Sequence, residues 1–151
     1  MIASATRTVS DLNELRVFAV DMADNLTPEP HEATVIGLIG PLGVGKTAFV
    51  QQLLNSYGVD GPVTSPTYTI ETVYWLPSGP FSHAYHLDTY RLDGSNDLEA
   101  LDFKSRLQNP ENLILIEWAD KISDILTGKT LYIDMLFGTN DNERIVKTYY
   151  E

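Results

Sequence analysis

Apolar residues at Leu12, Leu15, Ala19, Met22 and Leu26 recur at steps of three and four, the spacing that places them on one face of an α-helix. Ser10 is positioned to cap the amino terminus of that helix. The helix is predicted to stop near Thr27, because Pro28 and Pro30 form a stiff connector that cannot continue it. Residues 33–39 (ATVIGLI) form a short apolar run rich in β-branched side chains and ended by glycine, the pattern of a strand buried on both faces. In residues 47–57 the apolar stripe returns to helical spacing through Phe49, Val50, Leu53 and Leu54, and Gly58 supplies the stop.

Further along, residues 68–75 (YTIETVYW) have strand composition, 76–80 (LPSGP) make a turn, and 81–88 (FSHAYHLD) read as a second strand paired with the first as a hairpin. Ser95 is placed to cap a short acidic helix carrying Asp97, Leu98, Leu101 and Phe103. A buried strand at 113–116 (LILI) ends on an acid, Glu117. Residues 130–137 and 144–150 look like a closing hairpin around the polar turn GTNDNE. Helices alternate with buried strands early and strands dominate the end. The expected fold is α/β, a sandwich on a mixed sheet that is parallel centrally with antiparallel edge strands.

Composition narrows the function. The 151 residues, 43% of them hydrophobic, suit one domain spanning 1–151. A formal net charge of −11, from 21 acidic and 10 basic residues, repels phosphate backbones, so unaided binding of RNA or DNA is not expected. A local basic pocket can still take a nucleotide, since distant acids are screened within about 10 Å. The absence of cysteine excludes disulfides, thiolate catalysis and cysteine metal sites. The start, MIASATRTVS, lacks the apolar run of a signal peptide, and no stretch approaches the roughly 18 apolar residues of a membrane span. A cytoplasmic protein without membrane attachment is expected.

Between the buried strand and the following helix lies Gly40-Pro41-Leu42-Gly43-Val44-Gly45-Lys46-Thr47, which satisfies the phosphate-loop pattern of glycine, four residues, glycine, lysine and threonine. Glycines take backbone angles closed to other residues, so their N–H groups can converge on phosphates at the positive end of the helix dipole. Lys46 supplies charge for the β and γ phosphates, and the Thr47 hydroxyl is a hard oxygen ligand suited to magnesium. This predicts binding of ATP and Mg2+ on a P-loop NTPase-type three-layer sandwich. No NKxD base selector of the GTPases is present, which weakly favours adenine.

A phosphate loop needs an acid near its metal, at the carboxyl end of a strand on the same sheet edge. Asp88 and Glu117 each close a strand and both fit; spacing alone does not divide their roles. Thr64-Ser65-Pro66-Thr67 lies where P-loop proteins place a segment that senses the γ phosphate, although by itself it is an ordinary proline turn. Trp118 reads as a packing residue, and His83 and His86 have no metal-ligand partners and receive no role.

In the order GPLGVGKT, VTSPTYT, HLDTYRL and LIEW the chain resembles the TsaE family, also known as YjeE, of bacterial ATPases, from the first helix to the closing hairpin. The resemblance implies a part in forming the threonylcarbamoyl group on adenosine next to the anticodon (t6A) in tRNAs that read codons beginning with A. It implies action on a complex of TsaD and TsaB, with tRNA met only indirectly; no lone arginine is placed as a finger, so slow hydrolysis without those partners is expected. By position it implies a nucleotide loop at Gly40 to Thr47, magnesium on Thr47 and Glu117, Asp88 as the second active-site acid, and Lys46 as the phosphate lysine. It also implies a responsive segment including Ser65 and Thr67, Trp118 at the site, and Asp11 and Arg144 near the base and sugar. Pro41 departs from the aspartate common there and removes one N–H donor at the start of the loop. Two rivals remain: a small-molecule kinase, disfavoured by widely scattered arginines, and a nucleotide-gated binding module whose hydrolysis is incidental.

Overall fold

In the computed structural model, which describes residues 2–126 and 128–151, the chain forms β1 (Ala5–Val9), α1 (Leu12–Asn25), β2 (Thr34–Ile39), α2 (Lys46–Ser56), β3 (Glu71–Trp75), β4 (His83–Asp88), α3 (Phe103–Leu107), β5 (Asn112–Glu117), β6 (Leu131–Phe137) and β7 (Arg144–Tyr150). Two 3-10 segments, Ser95–Leu101 and Ala119–Ile125, flank α3 and β5. The strands make one sheet in the order β1-β7-β6-β2-β5-β4-β3. β6, β2, β5 and β4 run parallel, while β3 joins β4, and β7 joins β6 and β1, antiparallel. The expected mixed sheet is therefore present, and its antiparallel pairs lie at both sides.

Alternation along each buried strand divides the core in two. Ile36, Leu38, Leu113, Leu115, Ile133 and Met135 face α1 and α2, where Phe18 meets Phe49 with ring centroids 5.4 Å apart. Val35, Ile114, Ile116, Leu87 and Tyr132 face the 3-10 segments and α3 through Leu98, Phe103 and Ile122. Gly37, in mid-β2, is where the second layer comes closest: a Cβ there would sit 2.9 Å from both Ala119 Cβ and Tyr132 Cδ1. These layers hold the sheet's carboxyl edge, where β2, β5 and β4 end together.

Several boundaries differ from the sequence expectations. The cap of α1 is Asp11 rather than Ser10: its Oδ1 accepts from Glu14 N at 2.8 Å, while Glu14 Oε2 reciprocates by accepting from Ser10 N at 2.7 Å. The first 3-10 segment is preceded by Gly94 in the cap position rather than Ser95, and the acidic stretch breaks at Asp102 (φ +53), so that Phe103 starts α3. β3 begins at Glu71 because Ile70 adopts φ +68, an unusual angle for a β-branched residue, and turns the chain. β6 and β7 form the expected hairpin, and β6 also pairs parallel with β2 in the sheet's centre. β1 (ATRTV), mostly exposed and without apolar alternation, was not foreseen; β7 supplies its hydrogen bonds.

Tyr57 closes the C-terminal end of α2 against α1, donating its hydroxyl to Ala23 O at 3.1 Å while only 3% exposed. Burial, helped by the charge of Asp24, raises its pKa from 10.0 to about 12. A pKa higher in the folded state means that this stabilisation is full below pH 10 and disappears as pH rises through about 12. The expected size is about 2–3 kcal/mol. Urea unfolding from pH 8 to pH 12 should show that alkaline loss in the wild type and a shallower one in Tyr57→Phe; identical pH profiles would contradict it.

Candidate nucleotide-binding site

β2 delivers the chain to the glycine loop, and α2 carries it away. Gly40, Gly43 and Gly45 take φ of +147, +77 and +122, and a Cβ on Gly40 would lie 2.5 Å from Met135 O, so neither angle nor space admits a side chain there. The loop is tightened by Val44 N donating to Pro41 O at 3.2 Å, and Phe49 N donates to Gly45 O at 2.9 Å as α2 begins. Pro41 thus contributes through its carbonyl where its missing N–H cannot.

Lys46, 5% exposed, folds back so that its Nζ donates to Gly40 O at 2.5 Å and Pro41 O at 3.0 Å and lies 4.0 Å from the centre of the Trp118 ring. Burial lowers its pKa from 10.5, and the carboxylates of Glu117, Asp88 and Asp120 oppose that shift. Beside it, Thr47 donates its hydroxyl to Glu117 Oε1 at 2.8 Å. The parallel registers Leu38↔Glu117 and Asp88↔Glu117 align these three strand ends. Asp88 is clasped in turn: its Oδ2 accepts from Ser65 Oγ at 2.5 Å and Thr67 Oγ1 at 3.1 Å, and its Oδ1 from Tyr90 N at 2.9 Å.

Together these groups line a cavity of about 300 Å3, closed by Trp118, Tyr90 and the exposed Leu42. Trp118 turns with φ +60, and Thr89 holds that turn by donating its hydroxyl to Glu117 O at 3.0 Å and Trp118 O at 2.7 Å. A larger cavity of about 760 Å3 lies beside His31, Leu98 and Phe103, before the start of β2 and away from the loop. It lacks the loop's convergent amides and its lysine, so the chemistry favours the smaller cavity.

Of the site residues expected from sequence, Leu42, Gly43, Gly45, Lys46, Thr47, Ser65, Thr67, Asp88, Glu117 and Trp118 line one cavity, while Gly40, Pro41 and Val44 shape the loop without lining it. Asp11 and Arg144 do not line it either: Asp11 caps α1, and Arg144 donates through Nε to Val44 O at 2.8 Å and through NH1 to Asp141 O and Glu143 O at 2.7 and 2.9 Å. Its guanidinium, stacked 4.7 Å from the Phe137 ring centre, ties the loop's backbone to the β6–β7 turn. Sequence reasoning missed Thr89, Tyr90 and His86, whose Nε2 is 2.6 Å from Glu117 Oε2. The position of His86 two residues before Asp88 on one strand was the available signal, since such residues share a face.

The donor set fits a nucleotide with a hard divalent cation. Hydroxyl and carboxylate oxygens of Thr47, Glu117 and Asp88 open on the same cavity as the loop. No cluster of three or more His, Cys, Asp or Glu able to hold a metal unaided exists among the described residues, so a cation here needs further oxygens, which phosphates provide.

Fold and site together define a P-loop-type protein of the nucleotide-binding class. The family model described as threonylcarbamoyl adenosine biosynthesis protein TsaE matches residues 9–146, and the chain belongs to the TsaE family. Curated relatives named tRNA threonylcarbamoyladenosine biosynthesis protein TsaE include that of Rickettsia prowazekii, 30% identical with 95% of this chain and 94% of the relative covered. That of Haemophilus influenzae is 29% identical with 97% and 98% covered. The crystal structure of Bacillus subtilis YdiB superposes with a TM-score of 0.73 at 26% identity, covering 100% of this chain and 88% of that one.

Replacing Arg144 with alanine should loosen the loop without touching the cavity's lining. Loss of these charged hydrogen bonds is expected to cost about 1–3 kcal/mol, and for a domain of this size to lower Tm by about 2–10 °C. An unchanged melting curve would show that the tie carries no load.

Proposed function

We propose that the protein binds ATP with Mg2+ in the loop cavity and hydrolyses it in support of t6A formation on tRNA, acting on a TsaD–TsaB complex in the cytoplasm. Membership of the TsaE family supports the pathway. The observation that carries the nucleotide reading is the convergence of Lys46, the Thr47–Glu117 pair and Asp88 on one glycine loop.

On this reading the loop amides and the amino end of α2 receive the phosphates. Lys46, now held by two loop carbonyls, exchanges them for phosphate oxygens, which are stronger acceptors because they are charged. Thr47 and Glu117 would hold a magnesium ion, whose charge would offset that of the phosphates. Either Asp88 or Glu117 orients the attacking water, and release of Ser65 and Thr67 from Asp88 couples that carboxylate to the 64–67 segment. No described arginine lines the cavity, which fits slow turnover without partners and gives no support to a kinase lid. No helix among the described residues is long and apolar enough to cross a membrane.

The test is reconstitution with purified TsaD, TsaB, threonylcarbamoyl-adenylate synthase, tRNA, threonine, bicarbonate and ATP. Multiple-turnover modification is expected with the wild type and not with Lys46→Ala, whose ATP affinity should fall at least about tenfold for loss of a charged hydrogen-bonding group. Modification independent of the protein would overturn the role in t6A formation, and unaltered ATP binding by Lys46→Ala would overturn the site.

A further inference from the structure

Glu117 is held from two sides. Its Oε1 accepts the Thr47 hydroxyl at 2.8 Å, and its Oε2 lies 2.6 Å from His86 Nε2. His86 sits on β4 with no solvent exposure at all (0%), and its ring borders none of the cavity. A carboxylate that accepts on both oxygens is confined in plane and rotamer, which fixes where its remaining lone pairs point. The distance alone leaves open which atom of the histidine pair carries the proton.

The far side of the ring decides it. His86 Nδ1 is buried and meets no hydrogen-bond partner among the described residues. A proton there would be a buried donor without an acceptor, the costlier alternative, whereas a proton on Nε2 leaves only a weak acceptor unmet. Nε2–H then donates to Glu117 Oε2. A histidine present only for packing would have no need of that contact and would be replaceable by an apolar side chain of similar size.

We propose that His86 is a positioning residue for magnesium: as an Nε2–H donor it fixes Glu117 in the orientation that, with Thr47, receives the ion. The inference rests on the ATP–magnesium reading above and concerns the metal affinity of that site, not the nucleotide loop.

The experiment titrates Mg2+ into wild type, His86→Leu and His86→Gln at fixed ATP, following nucleotide binding by calorimetry, with parallel ATP titrations in EDTA. In His86→Leu the Mg2+ concentration for half-effect should rise about 10–100-fold, the usual consequence of losing an outer partner of a metal ligand. Binding in EDTA should be unchanged. His86→Gln, which restores an N–H donor at similar reach, should return the Mg2+ requirement to within about threefold of wild type. Equal Mg2+ requirements in wild type and His86→Leu would overturn the proposal while leaving the ATP reading intact, whereas a wild type that binds no ATP under any condition would overturn both. Long-range 1H–15N spectra of the wild type test the proposal independently of how the variants fold. They should show a proton on His86 Nε2, and an Nε2 without one would overturn it.

Discussion

Lys46, Asp88 and Glu117 are 5%, 4% and 3% exposed, and removing charged side chains from water costs several kcal/mol each unless partners replace the lost hydration. Every other feature of the carboxyl edge serves that requirement. Loop carbonyls and the face of Trp118 take Lys46, Thr47 and His86 take Glu117, and Ser65, Thr67 and the Tyr90 amide take Asp88. The partners come from α2, β4 and four connecting segments, so the site exists only when the parallel register of β2, β5 and β4 is in place. The same clustering concentrates charge in a small water-poor space, where a polyphosphate and a divalent cation would interact strongly with it.

This arrangement relates the fold to its proposed work. The strand ends are rigid because their side chains are packed on both faces of the sheet. The loops that clasp the charges are joined by hydrogen bonds that a phosphate or a metal ion can replace. Lys46 and Asp88 are thus held in partnerships suited to exchange, while the Arg144 tie from the β6–β7 turn and the Thr89 bonds under Trp118 hold the backbone around them. Membership of the TsaE family places the protein in t6A biosynthesis, and a net charge of −11 is consistent with the proposal that it meets tRNA only through others.

Much of this was legible in the sequence, because the signals were local. The ATVIGLI run, the glycine loop and the Phe49–Leu54 stripe specify strand, turn and helix within about 25 residues, and strand-end acids announce themselves where four aliphatics end on Glu117. What remained hidden depended on contacts distant in the chain. β1 carries no apolar alternation and is a strand only because β7 offers its edge. The cap is Asp11 rather than Ser10, because the Asp11 carboxylate accepts from Glu14 N while the Glu14 carboxylate takes the Ser10 amide. Arg144 matched a site position by family resemblance, yet its side chain is spent on the loop backbone a hundred residues before it. His86 gained its meaning from Glu117 on the neighbouring strand, a pairing that no single segment reveals.

The central claim is that the Gly40–Thr47 loop, with Glu117 beside it, is where nucleotide and metal meet. A crystal structure grown with Mg2+ and a non-hydrolysable ATP analogue tests it most directly. Phosphates are expected on the loop amides, with Lys46 Nζ moved from the Gly40 and Pro41 carbonyls onto phosphate oxygens and magnesium between Thr47 and Glu117. An analogue bound instead in the larger cavity beside His31 and Phe103, with Lys46 still on its carbonyls, would contradict it.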